Sequence, residues 1–171
     1  KCDGSAQGTV LVRDIATGVE HGSPSDLKAF GGLLYFSAFQ GVTGFELWRS
    51  DGTATGTQLF VNINTGSESS NPSLFTLAGT NLGFTAKQKS TGKELWQTTG
   101  ASTSLTKDIN PGAGSSNPIH LTNVGGTFYF QAYNPISGYE LWRSSSSETV
   151  LVGDFYVGSG GSYPANLTAI G

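Results

Sequence analysis

Glu-Leu-Trp occurs at Glu46-Leu47-Trp48, Glu94-Leu95-Trp96 and Glu140-Leu141-Trp142, and these copies hold all 3 tryptophans of the chain. The tryptophans are 48 and 46 residues apart. Self-similarity at such a period restricts the chain to a repeat architecture, in which no single unit buries its apolar face alone. Other landmarks keep step. Pro24, Pro72, Pro118 and Pro164 form one set. Ile15, Ile63, Ile109 and Phe155 form another, preceded by Asp14, Asn62, Asp108 and Asp154. Lys1-Cys2-Asp3-Gly4 aligns with Arg49-Ser50-Asp51-Gly52, and Leu167-Thr168-Ala169-Ile170-Gly171 aligns with Leu27-Lys28-Ala29-Phe30-Gly31. The repeats therefore run 1–48, 49–96, 97–142 and, in part, 143–171, within one repeat domain or a fragment of a larger one.

The local pattern is all-β. Every apolar run is short and bounded by Gly, Asn, Asp or Ser, and no window sustains a 3.6-residue apolar period. One repeat reads as a short strand at 27–30, a second and most apolar one at 33–39, a third at 45–49 carrying the tripeptide, and a fourth at 58–63. Gly31-Gly32, Gly79-Thr80 and Gly125-Gly126 suit hairpin turns, because glycine takes positive φ without steric cost. Asp51-Gly52 is a further hairpin signal, repeated at Asp3-Gly4. Leu47 and Trp48 must face opposite sides of their strand, so the expected sheet is covered on both faces. A buried Trp removes roughly 150–250 Å² from water, an upper bound of about 4–6 kcal/mol per repeat. Trp48, Trp96 and Trp142 are thus expected to be structural anchors.

Four antiparallel strands in about 47 residues, repeated with both faces covered, describe β-propeller-type blades. The chain would supply three full blades and partial blades at both ends, with a leading strand at 9–15 and a trailing one at 165–170. The stretch Glu46-Leu47-Trp48-Arg49-Ser50-Asp51-Gly52-Thr53-Ala54-Thr55-Gly56-Thr57 resembles the signature of the bacterial ELWxxDGT repeat family. So do Asp108-Ile109-Asn110-Pro111-Gly112, Ser115-Ser116-Asn117-Pro118 and Gly125-Gly126-Thr127-Phe128-Tyr129-Phe130. The likeness spans the chain but departs at Gln97-Thr98-Thr99 and at 144–147. It implies a secreted or cell-surface protein. The phase of the repeats sets two expectations. The segment belongs to a longer polypeptide, or it is a processed chain completed by a second copy of itself.

Composition limits the partners. Charged residues make up 12% and the net charge is −3, without a basic cluster, so the positive stripe that a duplex binder needs is missing. No apolar stretch approaches the length of a membrane-spanning helix. The lone Cys2 reads as a free thiol or one whose partner lies outside the segment. Asn166-Leu167-Thr168 is the only glycosylation sequon, since Asn71 and Asn117 precede proline.

Candidate chemistry is sparse. His21 and His120 have no second ligand at zinc spacing. No metal or other cofactor is expected. The recurrent Glu46, Glu94 and Glu140 invite comparison with paired glycosidase carboxylates. A residue repeated in every unit is instead expected to make a repeated structural contact with neighbouring backbone. Asp14, Asn62, Asp108 and Asp154 lack the spacing of a calcium loop and are expected to cap their own turns. No nucleophile elbow stands out, and 158–162 precedes a strand where a phosphate loop precedes a helix. Recognition is expected in loops that vary between repeats: Glu20 and His21, Phe39 and Gln40, Lys87, Gln88 and Lys89, Tyr133 and Asn134, Tyr156 and Tyr163. The leading expectation is a non-catalytic extracellular repeat protein, a structural or adhesive surface or fibre-forming scaffold that binds other proteins or its own copies as a homo-oligomer or filament. The alternatives are a lectin-like propeller binding glycans through these loops and a degenerate hydrolase propeller.

Overall fold

In the computed structural model, residues 1–170 are described. The period yields three meanders of antiparallel strands, each drawing its fourth strand from the repeat that follows. The first is β1 (Ser25–Phe30), β2 (Leu33–Gln40), β3 (Gly44–Ser50) and β4 (Gln58–Val61). The second is β5 (Ser73–Ala78), β6 (Asn81–Gln88), β7 (Gly92–Thr98) and β8 (Thr103–Leu105). The third is β9 (Ile119–Val124), β10 (Thr127–Asn134), β11 (Gly138–Ser144) and β12 (Thr149–Gly153). Each set forms its own 4-stranded sheet with neighbours in chain order. The described residues contain no helix, hence none long and apolar enough to cross a membrane.

Strand edges differ from expectation for local reasons. The fourth strand stops at Val61, short of Ile63, because the Ile63 N–H donates to the Glu46 carboxylate at 2.8 Å. The first strand starts earlier, at Ser25, and carries a bulge between Ser25 and Lys28. Asp26 sits there at φ 53°, as do its counterparts Leu74 and His120 near 59°. The loop after Asp51 is longer than a two-residue hairpin. Asp51 Oδ1 accepts from Thr53 N–H at 2.8 Å and Thr53 Oγ1 at 2.7 Å, and Thr57 N–H donates to Thr53 O at 3.0 Å. The 9–15 and 165–170 segments join no sheet. The first is tied by the reciprocal Lys1–Val10 pair, with Val10 N–H donating to Lys1 O at 2.9 Å and the Lys1 α-amino group to Val10 O at 2.8 Å, and by Arg13 Nη1 donating to Thr57 O at 2.6 Å. The second accepts from Thr122 Oγ1 at Leu167 O, at 3.2 Å. Gly171, the last residue aligned with Gly31, lies outside the described residues.

The chain forms two compact units, Lys1–Pro72 and a second from Ser73 onward. In the second, Ala78 and Leu95 of one sheet and Ile109 just beyond it pack against Phe128, Phe130, Ala132 and Trp142 of the next. In the first, Phe36, Ala38 and Trp48 form the core with Ile15, Leu34 and Leu59 half-buried against them. Alternation along β3 places Glu46 and Trp48 on one face and Leu47 on the other, and all three are buried. The same holds for Glu94, Leu95 and Trp96. Leu141 is only half-buried.

The turn between the second and third strands depends on glycine. Gly44, Gly92 and Gly138 have φ of 72°, 66° and 70°. A Cβ on Gly92 would lie 1.9 Å from Gly114 O, whereas one on Gly52 (φ 87°) would meet nothing within 4 Å. Gly92→Ala is therefore expected to cost about 2–4 kcal/mol, against about 1 kcal/mol for Gly52→Ala. Thermal melts of the two variants check this; equal losses would contradict the close approach.

Candidate functional site

The recurrent glutamates are consumed by structure. Glu46 accepts from Ile63 N–H (2.8 Å), Asn64 N–H (3.4 Å), Ser70 N–H (3.0 Å) and Ser70 Oγ (2.6 Å). Glu94 accepts from Ile109 N–H (3.3 Å), Asn110 N–H (3.4 Å), Ser116 N–H (2.8 Å) and Ser116 Oγ. Glu140 accepts from Phe155 N–H (3.4 Å), Ser162 N–H (2.7 Å) and Ser162 Oγ. Each carboxylate thus clasps both ends of the loop that follows its own sheet. All three side chains are fully buried. Burial raises the carboxyl of Glu46 and pushes that of Glu94 up to about 7, against the pull of their hydrogen-bond donors.

The rim residues fall into local groups. In the first unit, Phe39 N–H donates to Gly22 O at 2.8 Å, and Phe39 and Phe45 rings lie 5.3 Å apart. Glu20 and His21 are exposed nearby, with the Glu20 carboxylate against Gly41. Gln40 pairs with Gly44 at the strand end. In the second unit, Lys87 pairs across the strands with Lys93, Gln88 with Gly92, and Lys89 lies in the turn. Tyr133 pairs with Tyr139, and Asn134 Nδ2 donates to Ile109 O at 2.8 Å. One register position is thus Phe–Phe, Lys–Lys and Tyr–Tyr in successive repeats. Asn166 is exposed at φ 56°, and its carbonyl accepts from Thr168 Oγ1.

Tyr139 also belongs to this rim, although in the sequence it sits beside the Glu-Leu-Trp anchor and reads as strand. Its ring is 5.1 Å from Tyr133 and 5.3 Å from Tyr163, the latter pair stacked at 27°. Tyr163 occupies a left-handed position, φ 51°, where the other repeats place Ser23, Asn71 and Asn117. Asn tolerates this region; a bulky side chain there costs on the order of 1–2 kcal/mol.

The Asp set behaves as turn caps in part. Asp108 Oδ2 accepts from Gly112 N–H at 3.0 Å and Asp154 Oδ2 from Gly158 N–H at 3.3 Å. Among the described residues no three His, Cys, Asp or Glu side chains converge as metal ligands.

The first unit also holds an apolar cavity of about 670 Å³, lined by Val10, Leu11, Leu27, Leu34 and Phe36 among others. Leu27, Leu34 and Phe36 stand at the repeat positions of Leu121, Phe128 and Phe130. In the second unit Phe128 and Phe130 belong to the core that Ala78 and Leu95 of the adjoining sheet complete, with Leu121 half-buried against it. No family model, no curated protein and no solved structure matches the chain.

Proposed function

We propose that the chain is a run of β-propeller-type repeats from a bacterial surface or secreted protein, acting as a non-catalytic structural or adhesive scaffold through association with its own kind. The observation that carries this reading is the apolar cavity beside Phe36. The same repeat positions in the second unit are covered by a neighbouring sheet, so the face has the chemistry to take another such sheet. Leu11 (80% exposed) and Leu27 (57%) border it with bare aliphatic surface. The carboxylates that recur with the tripeptide are engaged in loop clasps, which supports a scaffold over a hydrolase. The surface location rests on the resemblance to ELWxxDGT repeats.

Light scattering over a concentration series tests the proposal. The wild-type chain is expected to self-associate, and Leu11→Glu with Leu27→Glu to shift it toward monomer without loss of the melting transition. A well-folded wild-type monomer across the whole series would sink the reading.

A further inference from the structure

We propose that the third sheet and the loop after it carry a carbohydrate-binding platform, built from the Tyr133, Tyr139 and Tyr163 stack with Tyr156 exposed in the same loop, that receives the apolar face of a neutral sugar on the open side of Tyr163. The repeats serve as controls for one another. Loops 62–72, 108–118 and 154–164 follow one backbone course. Ser70 N–H and Asn71 N–H donate to Phe45 O at 2.9 and 3.2 Å. Ser162 N–H and Tyr163 N–H donate in the same way to Tyr139 O, at 2.9 and 3.0 Å.

The side chains differ at three positions. Asn64 and Asn110 each donate Nδ2 across their loop, to Ser69 O at 3.3 Å and Ser115 O at 3.1 Å. Tyr156 stands in their place. Ser69 and Ser115 Oγ accept from Phe45 N–H and Lys93 N–H, both at 2.9 Å. Gly161 stands in theirs. Asn71 and Asn117, suited to left-handed φ, give way to Tyr163. The third loop has therefore given up two side-chain hydrogen bonds and accepted an unfavourable backbone position. In exchange it displays Tyr156 at 64% and Tyr163 at 59% exposure. Unfavourable conformations that the surrounding structure holds in place concentrate at functional sites.

The geometry suits a sugar. Tyr163 stacks on Tyr139, which in turn packs on Tyr133, so the outer ring is backed by a ring that is itself supported. The Tyr156 ring lies against Gly160, where a Cβ would come within 2.6 Å of it. Tyrosine supplies a rigid amphipathic face at low entropic cost, and its hydroxyl both donates and accepts. Residues 133–139 and 155–163 contain no charged side chain, which favours a neutral ligand over an acidic one. The corresponding pairs elsewhere are Phe39 with Phe45, which lack hydroxyls, and Lys87 with Lys93, which are cationic.

This proposal stands independently of self-association. Affinity electrophoresis of the whole chain through gels containing neutral β-glucan, mannan, galactan or xylan tests it, with alginate as the acidic comparison. Retardation is expected in at least one neutral gel and not in alginate. Tyr163→Asn installs the residue found at Asn71 and Asn117, so it is expected to melt no lower than wild type while binding about tenfold more weakly. Free migration in every neutral gel, equal retardation in alginate, or unchanged retardation of Tyr163→Asn would each overturn the proposal. So would loss of wild-type oligomers in Tyr163→Asn with retardation unchanged, which would assign the patch to protein contact.

Discussion

Glu94→Ala is expected to destabilise the chain by roughly 3–5 kcal/mol, because it orphans three backbone N–H donors at once. Ile109, Asn110 and Ser116 all donate to this carboxylate, and the Ser116 hydroxyl adds a fourth bond. Glu94→Gln keeps the volume and one acceptor oxygen but turns an NH₂ toward a donor, so its loss should be intermediate. The wild type should also show a pH dependence of definite sign. Burial raises the folded-state carboxyl from 4.5 to about 7, so the folded chain holds this proton more tightly than the unfolded one. Stability from this group is fully present below pH 4.5 and is lost as the pH rises through about 7. The span corresponds to about 3 kcal/mol. Glu46, raised for the same reason, adds in the same direction. Urea unfolding midpoints at several pH values between 4 and 8 check this. A wild-type midpoint that climbs over this range, or a slope unchanged in Glu94→Ala, would contradict it.

Trp142→Ala should cost about 3–5 kcal/mol, the range for removing a buried large aromatic side chain. Trp142 is 5% exposed, in the cluster where one sheet's Leu95 and Ala78 meet the next sheet's Phe128 and Phe130. Lys107 Nζ lies 5.7 Å from its ring and donates to Thr149 O at 3.2 Å, so the cation is held over the indole. Trp142→Phe keeps most of the apolar contact and is expected to lose markedly less. Calorimetry on the two variants separates loss of volume from loss of the indole itself; equal losses would assign the effect to the indole.

The period made the sheets legible. Once the tripeptide was read as strand, alternation placed Leu47 opposite Trp48, and both are buried. Gly31-Gly32 and its counterparts marked hairpins because positive φ is a local demand, and both glycines adopt it. What the sequence left hidden depends on contacts across the loop. Nothing near Glu94 announces that its carboxylate reaches Ser116, 22 residues on. Tyr139 reads as an ordinary strand residue until the fold brings Tyr163 against it at 5.3 Å. The early end of β4 at Val61 was hidden for the same reason, since a distant side chain captures the next available N–H.

The clasp has a consequence for how such a chain diversifies. Glu46, Glu94 and Glu140 grip their loops mainly through main-chain N–H groups and one serine hydroxyl, at positions 63–64 and 70, 109–110 and 116, and 155 and 162. A socket that reads backbone is largely indifferent to the side chains strung between its two grips. The interval between them is therefore a cassette. Its contents can be exchanged while the sheet beneath keeps its anchor, and repeats with a common frame become free to acquire separate surfaces.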